Sequence, residues 1–328
     1  MSNNKHIAAL KHKISAALSP LIDDDYSLLD TPYHNNIGDS LIYEGELSFL
    51  SGLPAKRLFS ANRKFASLKR IPKKGIILMH GGGNFGDLWR VYQNFRLKII
   101  RERPQQRIVV FPQTVYYANQ ENLLRDAEVF NSHPDLTICA RDHRSYDLLK
   151  KHFYKNNILL VPDMAFYLDL NRFVKIETTG KVLLLKRVDK EVPENQFDLR
   201  QNLTSADQLK QVEIADWPGI EYTPREKKKW ERRDRANRYL TRLSLLVLPP
   251  KGIDLDFGVL HLFESRRQLE KGCQFINQYD AIYSTRLHGA ILSILLGKTI
   301  YVIDNSYGKN SEFFNCWLKD FEDCYLIG

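Results

Sequence analysis

Two alternating periods limit this chain more than any other feature. Short runs of Ile, Val and Leu are followed repeatedly by longer stretches with apolar residues at helical spacing. Strands are expected over 57–59, 75–79, 107–111, 136–140 and 157–161, with helices over 87–101, 120–131 and 143–153 between them. A second block repeats the rhythm, with strands over 181–186, 281–284 and 299–303 and helices over 256–277 and 287–296. Such βαβα order gives α/β folds in which helices cover both faces of a mostly parallel sheet. The expected architecture is two Rossmann-like, doubly wound domains facing each other, residues 1–170 and 171–328.

At 328 residues the chain is long enough for two such units of about 150 residues each. Its 48 Lys and Arg against 39 Asp and Glu leave a net charge of +9, which favours anionic partners. Phosphorylated metabolites, anionic lipid and nucleic acid are the candidates. Nucleic acid ranks last and is not expected as a partner, since no zinc finger, bZIP region or RNP motif accompanies the charge. Cys139, Cys273, Cys316 and Cys324 lack C-x-x-C spacing and fit a reduced, cytoplasmic chain. No apolar run of about 18 residues is present to span a bilayer. Near the N-terminus, Ile7, Leu10, Ile14, Leu18, Leu21 and Ile22 form one side of an amphipathic helix, with Lys5, Lys11 and Lys13 on the other. It either packs on its domain or lies on a membrane surface. The eight basic and three acidic side chains of 225–238 make a solvated helical face or an anion-facing one.

The stretch IILMHGGGNFGDLW raises the sharpest question. Gly81, Gly83 and Gly86 satisfy G-x-G-x-x-G after an expected strand, which is the dinucleotide fingerprint. That fingerprint needs a carboxylate at the end of the next strand to hold the ribose, and there the sequence offers Pro112, Gln113 and Thr114. A phosphate-binding Walker loop fails as well, because Asp87 follows Gly86 where Lys is required. A nicotinamide site is therefore rejected. The glycines either make a tight turn or line a ligand, with Asp87 placed to cap the next helix.

Three other strand-to-helix junctions look alike. PYHNNIGDSLIYEG sets Asn36, Gly38 and Asp39 before a helix; LTICARDHRSYDLL presents Arg141 at a helix start; AIYSTRLHGAILSILLG presents Arg286 and His288. Helix N-termini at the carboxyl ends of parallel strands already favour anions. Two arginines and a histidine there make a pocket for a small, multiply charged anion. Taken singly, each residue has an ordinary alternative as a surface ion pair, a cap or a packed ring. Asp163 is expected to cap a short helix, with a place in the cleft as its other role. DLD at 254–256 reads better as a cap than as a metal site, and no His/Cys cluster has zinc spacing, so no metal is expected.

NIGD, GGGNFGD, FPQT, ARDHRS, VPDMAF, STRLHG and IDNSYGKN occur in the order of the polysaccharide pyruvyl transferase family, which the chain resembles over 35–309, most closely its exopolysaccharide-operon members from biofilm-forming bacteria. The resemblance implies a GT-B-like fold with the site in the cleft between the halves. It implies transfer of pyruvate from phosphoenolpyruvate onto two hydroxyls of one sugar, which closes a cyclic ketal and releases phosphate; no cofactor is implied. Arg141 matches the family's phosphoenolpyruvate-binding arginine in R-[DE]-x-x-S, and Arg286, Leu287 and His288 match its R-L-H motif. His288 is the expected proton donor and acceptor, assisted by Arg286. Asn36, Asp39, Gly82, Gly83, Asn84, Gln113, Asn305, Tyr307 and Lys309 are expected to line the substrates. The acceptor would be a sugar on a lipid-linked oligosaccharide at the anionic inner face of the membrane, which the basic surface would visit peripherally. Homo-oligomerisation through the N-terminal helix is left open, and 189–257 carries no family motif. The alternatives are a GT-B glycosyltransferase with a nucleotide-sugar donor, for which Glu312 is the nearby ribose candidate, and a catalytically inert scaffold.

Overall fold

The computed structural model of the chain describes residues 3–32, 36–64, 66, 68–175, 177–186, 212–218, 259–304 and 308–327, with single positions 225, 228, 232, 236 and 239. Two sheets organise it. The first contains β1 (Tyr26–Leu29), β2 (Arg57–Ala61), β3 (Ile76–Met79), β4 (Gly82–Gly86), β5 (Ile108–Tyr116), β6 (Leu136–Ala140) and β7 (Asn157–Leu160). Its order is β2-β1-β3-β5-β6-β7, with β4 paired to β5. The second, ordered β12-β11-β10-β8-β9, contains β8 (Val182–Leu185), β9 (Val212–Ala215), β10 (Ala281–Ser284), β11 (Thr299–Ile303) and β12 (Cys324–Ile327). All the pairings between these strands are parallel. Parallel sheets are covered on both faces, which is why β3 is an apolar run and β6 is apolar but for Thr137, both buried at every position.

Helices α1 (Asn3–Leu18), α2 (Ile37–Ser51), α3 (Arg90–Glu102), α4 (Gln120–Asn131) and α5 (His143–His152) belong to the N-terminal half. Helices α6 (Val259–Ile276), α7 (Leu287–Leu295) and α8 (Lys309–Phe313) belong to the C-terminal half. Asn36, Asn119 and Asp142 cap α2, α4 and α5 by accepting from the backbone N–H of Gly38, Asn122 and Ser145. On α1, Leu10, Ile14 and Leu18 are buried. At about 1.5–3 kcal/mol for each such side chain, that face is committed to the protein core. No helix among the described residues is long and apolar enough to cross a membrane.

One apolar cluster joins the two sheets, running from α1 through α2 and Met164–Phe166 to α7 and β11. Its tightest crossing is at Gly45 on α2, where a Cβ would stand 2.0 Å from the Met164 carbonyl oxygen.

The glycine-rich stretch departs from expectation. Gly82–Gly86 is an extended strand beside β5, where a loop leading straight into a helix was expected. Gly86, at φ 113°, runs so close to β5 that a Cβ would lie 1.8 Å from the Tyr116 carbonyl oxygen. Helix α3 starts only at Arg90, behind Trp89 and without a side-chain cap. Asp87 instead accepts from Ala118 N and Asn119 N, both at 2.8 Å, and so fixes the turn that enters α4. β1, β9 and β12 are further strands that the periodicity did not announce. The polar stretch 189–223 and the basic run 225–238 fall largely outside the described residues.

Both sheets have a point at which the chain reverses its direction of travel. β1 lies between β2 and β3, and β8 lies between β9 and β10. Ligands of open α/β sheets bind outside the carboxyl ends of the strands at such points.

Candidate active site

Arg141 leaves the end of β6, and its side chain is fully buried. Its Nε donates to Thr114 Oγ1 at 2.9 Å and its Nη1 to Asp163 Oδ2 at 2.5 Å. The remaining nitrogen, Nη2, is buried and has no hydrogen-bond partner among the described residues. It faces the backbone of Gly83, where a Cβ would lie 3.2 Å from Nη2 and 2.9 Å from the Nζ of Lys309. Two cations therefore converge on a residue with no side chain. Trp317, on the π-helical turn that continues α8, donates from Nε1 to the Arg141 carbonyl at 2.8 Å and fixes the backbone from behind.

Asp163 couples this group to the second sheet. It caps the short turn Met164–Tyr167 by accepting from Ala165 N at 2.9 Å, while its Oδ2 faces His288 Nε2 at 3.4 Å across the two halves. Burial by itself would raise the Asp163 carboxyl. The charges of His288 and Arg141 and the hydrogen bonds reverse that and hold it well below the usual carboxylate range. His288 goes the other way. Burial, with Arg141 and Lys309 nearby, holds it below its ordinary value despite Asp163, so the ring is neutral at physiological pH. Gly38 at the start of α2 packs on the ring, where a Cβ would come within 2.8 Å of Nδ1.

Arg286 occupies the N-cap position of α7 and is held in a two-pronged ion pair by Asp216, just past β9. Leu287 is 2% exposed within the core, so any part it plays in a site falls to its backbone. Asn36 donates from Nδ2 to Asp39 Oδ2 at 3.0 Å, and Asp39 Oδ1 lies 3.9 Å from the Cβ position of Gly82. Asn84 accepts from Arg96 through both its backbone and its side-chain oxygen. Gln113 donates from Nε2 to the His80 carbonyl at 2.7 Å, while its Oε1 is buried with no hydrogen-bond partner among the described residues. Asn305 and Tyr307 lie outside the described residues.

The structure thus groups Arg141, His288, Lys309 and Gly83, with Asp39, Asn36 and Gly82 along one side. It adds residues that the motifs did not single out. His80 Nδ1 lies 2.9 Å from Glu46 Oε2, and Glu46 Oε1 accepts from Gly81 N at 2.8 Å. Burial works against a charged His80, yet Glu46, Asp39 and Asp30 together pull it above its ordinary value. Asp30 ends β1 at φ 63° and pairs with buried Arg96 at 3.4 Å. Its neighbourhood in the sequence, an acidic residue directly after the run YSLL, was the available signal. Among the described residues no cluster of three His, Cys, Asp or Glu has the arrangement to hold a metal ion.

The polysaccharide pyruvyl transferase family model matches residues 36–307. EpsO of Bacillus subtilis (strain 168) is 31% identical over 335 residues, covering 100% of this chain and 96% of that protein. Pyruvyl transferase 1 of Schizosaccharomyces pombe is 30% identical over 321 residues, covering 92% of this chain and 71% of its own length. In fold the chain is similar to a crystal structure of a functionally uncharacterized Klebsiella pneumoniae protein, with a TM-score of 0.63 at 20% identity over 97% of this chain and 98% of that one. Arg141, Gly83 and His288 lie within the motifs that this match spans, and the chain belongs to the polysaccharide pyruvyl transferase family.

Proposed function

We propose that the chain transfers pyruvate from phosphoenolpyruvate to two hydroxyls of one sugar and closes a cyclic ketal. The observation that carries this reading is the unpartnered, buried Nη2 of Arg141 beside Lys309 Nζ, both aimed at the bare backbone of Gly83. A guanidinium nitrogen without a partner in a buried site is poised for an anion, and a guanidinium takes carboxylate or phosphate bidentately. Arg286, released from Asp216, would supply the second fork for the other end of the donor. The two halves are read as facing GT-B-like domains, 1–170 and 171–328, with the donor between them.

His288 starts neutral, and a multiply charged anion beside it raises its pKa, so donor binding itself would charge the ring. The imidazolium then gives its proton to carbon 3 of the donor, and the double-bond electrons form that C–H bond. The first hydroxyl oxygen attacks carbon 2 and loses its proton. The second hydroxyl forms the other C–O bond as the phosphate C–O bond breaks. Of the two hydroxyl protons, one restores that spent at carbon 3, and the other leaves on hydrogen phosphate. General acid–base steps of this kind contribute about 10²–10⁴-fold. With an acceptor on a lipid carrier, the +9 chain would meet an anionic membrane peripherally.

Calorimetric titration with phosphoenolpyruvate tests the donor. Binding to wild type that is lost in Arg141→Ala and weakened in Arg286→Ala is expected. A wild type that ignores phosphoenolpyruvate and binds nucleotide sugars would replace this reading with the glycosyltransferase one.

A further inference from the structure

At the switch point of the first sheet, Asn62, Asp30 and His80 stand side by side. Each is one step beyond the registered residues Ala61, Leu29 and Met79 on the adjacent strands β2, β1 and β3. All three are at most 3% exposed. Asp30 Oδ1, Asn62 Nδ2 and His80 Nε2 are each buried with no hydrogen-bond partner among the described residues, as is Thr31 Oγ1 next to Asp30. Leaving even one such group unsatisfied is costly, so four together are not explained by folding. Asp30 is also the one described non-glycine residue with positive φ, a conformation disfavoured for L side chains. Strain and unpaired polar atoms concentrate where a ligand completes the structure.

The chemistry of the free atoms selects the ligand. An amide N–H₂ and an imidazole N–H donate, a carboxylate oxygen accepts, and a hydroxyl of Thr31 does either. A phosphate is disfavoured here, because Asp30, Asp39 and Glu46 are all close enough to influence His80. Neighbouring hydroxyls, each both donor and acceptor, suit the set. The place is right as well: Arg96 links Asp30 to Asn84, one residue from Gly83 and the Arg141 pocket.

We propose that Asn62, Asp30 and His80 form the acceptor subsite, holding a pair of sugar hydroxyls, with Asp30 Oδ1 as the acceptor of a hydroxyl proton. This rests on the pyruvyl-transfer reading. As the hydroxyl O–H bond breaks, its electron pair forms the bond from oxygen to carbon 2 of the donor, and the proton passes to Oδ1, from which it leaves with the departing phosphate so that the carboxylate is restored. Burial lifts the Asp30 carboxyl to about 6 against the opposing pull of Arg96 and His80, which suits a group that must take a proton near neutrality.

The test is saturation-transfer NMR with methyl gluco-, galacto- and mannopyranosides at millimolar concentration, run on wild type, Asp30→Asn, Asn62→Ala and Arg141→Ala. The expected result is contact between wild type and at least one glycoside, reduced at least tenfold in Asp30→Asn and Asn62→Ala and retained in Arg141→Ala. Calorimetry should show the reverse for phosphoenolpyruvate, which Arg141→Ala loses and the other two keep. Contact that persists in both subsite variants, or wild type that contacts none of the three sugars, overturns the subsite. Glycoside contact without phosphoenolpyruvate binding overturns the donor reading and leaves the subsite standing. Melting curves establish that each variant is folded, and either subsite variant alone carries the test.

Discussion

Asp30→Asn should make this protein more stable at neutral pH, which is unusual for a change in a buried charged residue. Asn keeps the shape and, like Asp, tolerates the left-handed backbone at φ 63°. What it removes is a carboxylate that burial penalises more than Arg96, His80 and Arg63 compensate, lifting it from its ordinary 3.8 to about 6. Because the folded pKa is raised, the native state binds the proton more tightly than the unfolded chain does. Stability from this group is therefore fully present below the unfolded value and is lost as pH rises through 6. At 1.36 kcal/mol per pH unit, the ionised carboxyl costs about 3 kcal/mol at pH 7 and roughly half of that at pH 5. A neutral Asn has no such cost. At about 2 °C per kcal/mol for a chain of this length, Asp30→Asn should melt roughly 6 °C above wild type at pH 7, with the gap shrinking on acidification toward pH 4. Scanning calorimetry of both proteins at several pH values measures it. A variant that melts below wild type at neutral pH, or a gap that ignores pH, would refute the reasoning. Stabilisation together with lost glycoside contact is the pattern expected where function holds a residue in an unfavourable state.

Other changes separate the parts of the site. Asp163→Asn strips the buried Arg141 of its compensating charge and should destabilise by about 3–5 kcal/mol; thermal melts without ligand read this, and added phosphate should restore more of the loss than it gives wild type. His288, held low by burial, should titrate below 6.5 in an NMR pH series, so it contributes stability that is lost as pH falls below that value; a pKa above 6.5 without ligand would contradict the neutral ring. Gly45→Ala places a methyl group 2.0 Å from the Met164 carbonyl and must displace the turn that carries Asp163; phosphoenolpyruvate affinity should fall along with the melting temperature. Asp216→Ala removes the two-pronged pair on Arg286, and steady-state kinetics should show a higher KM for the donor with a smaller change in kcat.

Much of the scaffold was written in local periodicity. Strands 136–140, 281–284 and 299–303 and helix 120–131 fall where the pattern put them, because long helices and central parallel strands bury continuous apolar faces. β4 escaped because Gly82–Gly86 has no β-propensity of its own; β5 alone holds it extended. Arg141 and His288 were visible as motif residues, yet their meeting through Asp163 was not, since 125 residues separate Asp163 from His288. Asn62 and His80 were silent for the same reason, and Asp30 was marked only by its place directly after YSLL. An Asp, an Asn and a His at strand ends are ordinary turn residues in sequence, and only the β2-β1-β3 order makes them neighbours.

That dependence on pairing has a consequence for how the site is assembled. Arg141 and Asp163 come from adjacent strands of the first sheet, whereas His288 and Lys309 come from the second. The single Asp163 carboxylate serves both sides: its Oδ2 holds Arg141 at 2.5 Å and faces His288 at 3.4 Å. If the halves separated, Asp163 and Arg141 would still neutralise each other, but His288 would lose its burial and the influence of Arg141. Its pKa would return toward 6.5, and the ring would take up a proton at a higher pH than it does in the assembled site. The packing of α2, from Gly38 against His288 to Gly45 against Met164, is therefore part of what holds the proton donor below its ordinary pKa until an anion enters. Association of the halves and the chemistry expected of His288 are thus one equilibrium, read at one imidazole.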